Sequence, residues 1–167
     1  MGQLAVKTAT LTRSADTTAY TSGDSVANST SAPAALEFAG LGRSGVLSGT
    51  LYSVEMDDQN NAGTPGEFEL WLFSEQPTIA NDNAAAAISW ADSARLVAVV
   101  PLYASYLVNA GSGNAGVRRY ESTSPIGRLY ATDASGSLWG ALVARSAYTP
   151  LSGELFRVTV RAEIAWA

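Results

Sequence analysis

The 167-residue chain contains no cysteine and no histidine. Without cysteine it can form no disulfide bond, thiolate metal site or cysteine nucleophile, so packing or association with other chains must hold the fold together. Without histidine it lacks the most common metal ligand and the usual general base near neutral pH. We therefore expect a protein that is not an enzyme and that binds no cofactor or metal ion.

Long hydrophobic runs are also missing. The longest apolar stretch, Leu96 to Ala104, is interrupted by Pro101 and is much shorter than the roughly 20 residues that a membrane-spanning helix needs. Residues Met1 to Thr12 do not show a charged segment followed by an apolar one, which a secretory leader requires. We expect no membrane association, and synthesis and retention in a bacterial cytoplasm.

Positive charge is scarce, because the ten basic residues leave a net charge of -5. Apart from the pair Arg118 and Arg119 they are scattered, so no continuous stripe is available to neutralise phosphates, and we expect no nucleic-acid partner. All of these cations except Lys7 are arginines. Arginine makes planar, bidentate contacts and is enriched at interfaces, so its dominance favours a protein that assembles with others.

What the sequence does contain is strand periodicity. From Leu155 to Trp166, apolar residues alternate with polar ones, which predicts a strand with one buried face. In Glu67 to Phe73 the second half is apolar on both faces, which predicts a strand that is covered on both sides. Further strands, each bounded by turn-forming residues, are predicted at 4–12, 34–40, 117–121, 126–132 and 138–146, and one more is predicted at 97–106, directly after a short helix.

These seven or eight short strands predict an all-β, single-domain antiparallel β-sandwich or jelly roll. One short helix is predicted near Trp90 to Leu96, with Ser89 or Asp92 as its N-cap. Residues 1–30 are rich in Thr, Ser and Ala and poor in large apolar groups, so we predict an extended N-terminal arm there and the β-domain over residues 31–167.

The stretch from Val46 to Met56 also alternates. Its pattern leaves Leu47 and Leu51 on one face and places five side chains broadly together on the other, namely Val46, Thr50, Tyr52, Val54 and Met56. A sheet of a monomer would prefer polar groups on its second face, so this apolar face is predicted to be an interface.

For several motifs a structural explanation is simpler than a functional one. Residues 111–116 match G-x-G-x-x-G, but a strand pattern follows instead of a helix, which favours a hairpin loop over a dinucleotide site. Gly23-Asp24-Ser25 resembles a hydrolase motif and is better explained as a turn, since no histidine can activate the serine. Asp57 to Gly63 is read as a solvated loop and not a calcium loop, because its ligand spacing fails. The pair Glu67 and Glu69 is read as solvated strand residues.

The aromatic residues leave carbohydrate binding open as an alternative, although their spacing suits core filling better. They are Trp71, Trp90, Trp139, Trp166, Tyr103, Tyr106, Tyr130 and Tyr148.

Three stretches over roughly residues 4 to 105 resemble small structural proteins of tailed phages and prophages, the capsid decoration or cement proteins. The most distinctive is the string Leu11-Thr12-Arg13-Ser14-Ala15-Asp16-Thr17-Thr18-Ala19-Tyr20-Thr21-Ser22-Gly23-Asp24. The others are Phe38 to Gly45, and Leu70-Trp71-Leu72-Phe73 leading through Pro77 to Ala85. The resemblance implies a β-rich virion protein without catalytic residues to carry over.

The resemblance further implies a location on the outer surface of the capsid, with the major capsid protein as partner and self-association as a homotrimer. In this hypothesis residues 1–30 lie along capsid subunits and pair with their strand edges. The predicted interface residues are Leu4, Val6, Arg13, Tyr20, Leu47, Leu51, Trp71, Arg118 and Arg119. The alternatives are a tail- or fibre-associated virion protein that binds host glycans and, less favoured, a carbohydrate-active enzyme.

Overall fold

A computed structural model describes residues 2–43, 47–59, 66–108 and 117–165. The fold is all-β and antiparallel, as predicted, and forms a single domain. The strands are β1 (Gln3–Thr12), β2 (Ser25–Val26), β3 (Leu36–Phe38), β4 (Ser48–Asp58), β5 (Phe68–Phe73), β6 (Leu96–Val108), β7 (Val117–Glu121), β8 (Arg128–Ala131), β9 (Leu138–Ala144) and β10 (Leu155–Ile164). The helix α1 (Trp90–Ser93) is the only helix among the described residues.

The strands form one continuous sheet in the order β1-β10-β4-β7-β6-β5-β9-β2, with β3 on β9 and β8 on β4. The sheet curls over itself, so that strands far apart in this order meet across a common core. Phe68 of β5 contacts Phe156 of β10 with ring centroids 5.6 Å apart, and it contacts Tyr120 of β7 at 5.2 Å. The inner face of each strand therefore supplies the core of the sandwich.

Alternation identifies the buried face of β10 correctly. Phe156, Val158, Val160, Ala162 and Ile164 are all buried, whereas the residues between them are half-buried or exposed. Trp166, the last member of this predicted series, lies outside the described residues. The prediction for β5 is confirmed for Phe73, which is fully buried, while Trp71 is half-buried.

The alternation predicted for β4 is wrong, because this strand contains a β-bulge. Ala162 of β10 pairs with Leu51 and the preceding Arg161 pairs with Ser53, so Tyr52 is an extra residue without a cross-strand partner. A bulge of one residue reverses the faces that follow it. Leu51 is therefore buried on the same side as Val54 and Met56, whereas Tyr52 is 52% exposed.

The N-terminal segment is extended over residues 3–12, but there it is strand β1 of the same sheet. Each of its residues from Gln3 to Thr12 is paired with a residue of β10. Leu11 is buried in the common core. A role of residues 1–30 as an arm on another protein stays a prediction.

The helix is shorter than predicted and ends at Ser93. Ser89 is its N-cap, with Oγ accepting a hydrogen bond from the backbone N–H of Asp92 at 3.0 Å. No helix in the described part of the chain is long and apolar enough to cross a membrane.

Candidate functional site

The string that carries the family resemblance forms a buried polar cluster of Arg13, Tyr20 and Asp82. Arg13 Nη2 donates to Asp82 Oδ2 at 2.9 Å, and the Tyr20 hydroxyl donates to Asp82 Oδ1 at 2.5 Å. Arg13 Nε donates to the Tyr20 oxygen, and the backbone N–H of Ala27 donates to Asp82 Oδ1 at 2.9 Å. The side chains of Arg13 and Asp82 have no exposed surface.

The charges of this cluster are buried and compensate each other within the chain. Burial raises the pKa of the Tyr20 hydroxyl above its ordinary value, and its hydrogen bond to Asp82 acts in the same direction. The carboxylate of Asp82 is neutralised by Arg13, and neither group faces solvent. Arg13 and Tyr20 were predicted to contact a partner, but in this fold both are buried and anchor residues 13–27 to the domain; a contact with a partner stays a prediction.

Two further predicted interface residues are also inside the domain. Leu51 is fully buried because of the bulge in β4, and Arg118 is 1% exposed. Along β7 the side chains alternate, and since Tyr120 is in the core, Arg118 lies on the inner face as well. Its neighbour Arg119 points outward.

Trp71 lies on the outer face of β5 but is engaged within the chain. Its Nε1 donates to Glu69 Oε2 at 3.0 Å, and the guanidinium of Arg145 lies 5.7 Å from the Trp71 ring centroid. Arg145 also pairs with Glu69 at 2.5 Å, so Glu69 is not a free carboxylate. Ile79 and Ile88, from the irregular segment after β5, line a small cavity together with Trp71 and cover part of this face.

Leu4, Val6 and Leu47 are the apolar members of the predicted set that are exposed, by 64%, 50% and 39%. Leu4 and Val6 belong to β1, which is at the end of the strand order and pairs only with β10 among the described strands. Arg13 and Glu154 form the next pair after the end of the β1–β10 pairing, and the backbone N–H of Arg13 donates to the carbonyl oxygen of Glu154 at 2.9 Å. Because backbone direction alternates along a strand, odd-numbered residues face β10, and Leu4, Val6 and Thr8 direct their N–H and C=O groups to the open edge.

The outer face of β10, β4 and β7 carries a ladder of ion pairs. Asp57 on β4 accepts from Arg119 Nε at 2.7 Å and from Arg157 Nη2 at 2.6 Å. Partial burial would raise the pKa of Asp57, but the hydrogen bonds from Arg119 and Arg157 outweigh it and hold the pKa of that carboxyl below its ordinary value. Arg119 was predicted to form ion pairs at an interface, and this stays a prediction. Within the chain, Arg119 pairs with Asp57 on the outer face of the sheet.

Beside this ladder the bulge opens a cleft. It has a volume of about 310 Å³, and its lining residues include Tyr52, Glu55, Glu121, Ser122, Ser124 and Arg161. Glu55 and Glu121 are directly opposite each other in the β4–β7 pair. Like charges in this position are destabilising, but cations offset them: Glu55 forms an ion pair with Arg161, and Arg119 interacts electrostatically with both glutamates.

The sequence pattern did not reveal the cleft residues, because the bulge breaks the regular alternation of β4. A usable signal was present: the buried Leu51 and Val54 are three residues apart, and Met56 follows at the normal spacing of two. Such a break in alternation within a long strand indicates an inserted residue. It would have placed Tyr52 on the outer face.

Other motifs from the sequence give no site. The G-x-G-x-x-G stretch at 111–116 and most of the acidic loop at 60–65 lie outside the described residues. Gly23 has a φ of 100° and precedes β2, as a turn requires. Within the described ranges, no three acidic side chains are grouped so that they could hold a metal ion.

No protein-family model matches the chain, and no curated protein matches it. Among solved structures, the PRD1 vertex protein P5 is similar with a TM-score of 0.33 and 16% identity, over 95% of this chain and 97% of that chain.

Proposed function

We propose that the chain is a non-enzymatic structural protein of a phage particle, which binds the outer face of the capsid as a decoration or cement protein and stabilises it. The major capsid protein would be its partner, and a homotrimer its assembled form. The sequence resemblance supports this role. Two residues of its most distinctive stretch also help to hold the fold together. Arg13 and Tyr20 of that string bind Asp82, which belongs to another of the similar stretches.

The observation that carries the proposal is the edge of β1 that faces away from β10. Over residues 4–8 this edge has no strand partner among the described residues, whereas residues 34–37 lie beside residues 9–11. An unpaired edge strand offers N–H and C=O groups to an extended segment of another protein, which would add to the sheet. Leu4 and Val6 present exposed apolar side chains beside this edge, and Lys7 is the only charged residue of the strand. An extended capsid segment would thus gain both main-chain hydrogen bonds and apolar contact.

The contact area of one strand is small, but a capsid offers many equivalent positions. A trimer placed over a local three-fold axis would bind through three such edges at once, and linked contacts raise the apparent affinity strongly without any new type of contact. This supports stabilisation of the capsid as the role of the protein.

The experiment is cryo-electron microscopy of particles that carry the chain, together with an occupancy assay on particles stripped of it. The double variant Leu4→Lys, Val6→Lys should reduce the apparent affinity for stripped capsids at least tenfold while the circular dichroism spectrum stays unchanged. Leu151→Lys is the matched control, because Leu151 is 46% exposed and lies outside β1. Equal occupancy of the double variant and the control would contradict the proposal.

The second candidate is a tail- or fibre-associated protein of the same particle that binds host glycans. It is favoured by Trp90, which is 93% exposed, and by Tyr52 in the outer cleft. Density confined to the tail or to a single vertex would select this candidate, and regular density over the head lattice would reject it.

A further inference from the structure

The cleft beside the bulge has the form of a small ligand site. Its volume of about 310 Å³ is at the lower end of the range that small-molecule sites occupy, roughly 300–1,000 Å³. It lies on the outer face of the sheet, where β4 and β7 are paired, and it is bounded by the segment that follows β7. This location is separate from the open edge of β1, so a ligand here goes beyond the proposed capsid contact.

An aromatic ring forms one wall of the cleft. Tyr52 is the extra residue of the bulge, and without the bulge its position in the alternation would turn it into the core. The strand therefore departs from regular pairing in a way that exposes a large aromatic side chain beside a concavity. Such bulges are over-represented next to functional sites, where they redirect a side chain.

The polar groups of the cleft are fixed in place and have both donor and acceptor character. Arg161 and Glu55 form an ion pair on neighbouring strands. The Oγ of Ser122 accepts a hydrogen bond from the backbone N–H of Val54 at 3.0 Å, which positions this hydroxyl while leaving its proton to donate. Glu121 adds acceptor oxygens at the position opposite Glu55.

We propose that this cleft binds one unit of a neutral saccharide. The face of the Tyr52 ring would stack on the apolar face of the sugar, and the carboxylate oxygens of Glu55 and Glu121 would accept hydrogen bonds from its hydroxyl groups. Arg161 and Ser122 would donate to the sugar oxygens. The two carboxylates that line the cleft would repel a sugar carboxylate or phosphate at close range, although Arg119 beside them offsets part of their charge, so neutral sugars are favoured.

The test uses the free, full-length protein. Methyl glycosides of glucose, galactose, mannose and N-acetylglucosamine are titrated while amide and tyrosine resonances are followed by nuclear magnetic resonance. We expect saturable shifts for residues of the cleft with at least one of these sugars, and at least tenfold weaker binding of methyl glucuronide. Tyr52→Ala should weaken binding of the neutral sugar at least tenfold.

Two further variants separate a binding role from a structural one. Glu121→Gln should also weaken binding while the melting temperature changes little, because the substitution removes both the repulsion from Glu55 and the attraction to Arg119. Leu151→Ala is the control for an exposed apolar residue outside the cleft, and its affinity should remain within twofold of the original.

Three results would overturn the proposal. The first is the absence of shifts in the cleft with all four neutral glycosides. The second is binding that survives Tyr52→Ala or is lost in Leu151→Ala, which would place the sugar elsewhere. The third is a stronger response of the cleft to arginine amide than to any sugar, which would make it a socket for a basic side chain of a partner.

Discussion

Replacement of Asp82 by alanine should destabilise the domain severely. This carboxylate accepts hydrogen bonds from Arg13, Tyr20 and the backbone of Ala27, and its removal leaves the guanidinium of Arg13 buried without its counter-charge. Breaking a buried ion pair by removing one partner costs about 3–5 kcal/mol. Since small domains have free energies of unfolding of about 5–15 kcal/mol, the variant would lose a large part of its stability.

Milder variants separate the hydrogen bonds from the charge. Tyr20→Phe removes only the hydroxyl that links Arg13 to Asp82, and it should cost about 1–3 kcal/mol because buried polar groups lose their partner. The double variant Arg13→Met, Asp82→Leu leaves no buried charge, so it should be markedly more stable than Asp82→Ala. Tyr103→Phe is the control, because this hydroxyl belongs to a side chain that is 57% exposed and its loss should change stability by less than about 0.5 kcal/mol.

Urea denaturation followed by tryptophan fluorescence and by circular dichroism would give the free energies of unfolding. The two probes should coincide if the domain unfolds in one step. A cost below about 1 kcal/mol for Asp82→Ala would refute the reasoning, as would a double variant that is destabilised by the sum of its two single variants.

Three other predictions concern pH and packing. The pKa of Asp57 is lowered in the fold from its ordinary 3.8, so its contribution to stability is complete above that value and is lost as pH falls below it. In Asp57→Asn, the urea midpoint should therefore fall less steeply as pH is lowered than in the original protein. Burial raises the pKa values of Tyr120 and Tyr130 to about 12, whereas the unfolded chain loses these protons near pH 10. Stability should therefore fall from about pH 10 upward, and the ultraviolet absorbance of tyrosinate should rise as these hydroxyls ionise. In Gly49→Ala the new Cβ would lie 2.4 Å from the backbone oxygen of Glu163, so a loss of about 1–3 kcal/mol is expected in thermal unfolding, against little change for the exposed neighbour Ser48→Ala.

The regular strands were accessible from sequence because their alternation is local. The bounds predicted for β7 are those observed, and the buried series from Phe156 to Ile164 follows directly from the period of two. β2 was missed, because two residues are too few to show a period. The bulge in β4 was also missed, since its effect is to break the regularity on which such predictions depend.

Composition alone excludes thiol and imidazole chemistry, because a residue type that is missing from the chain cannot act anywhere in the fold. Whether an arginine is a surface group or a buried anchor depends on contacts between residues far apart in the chain. Arg13 meets Asp82 across 69 positions, and Arg119 meets Asp57 across 62. The sequence determined that this chain builds an antiparallel β-domain without imidazole or thiol chemistry. Only the tertiary structure decided which charges are buried, that Leu51 faces inward, and that Tyr52 faces a cleft, because strand register and curl of the sheet set these positions.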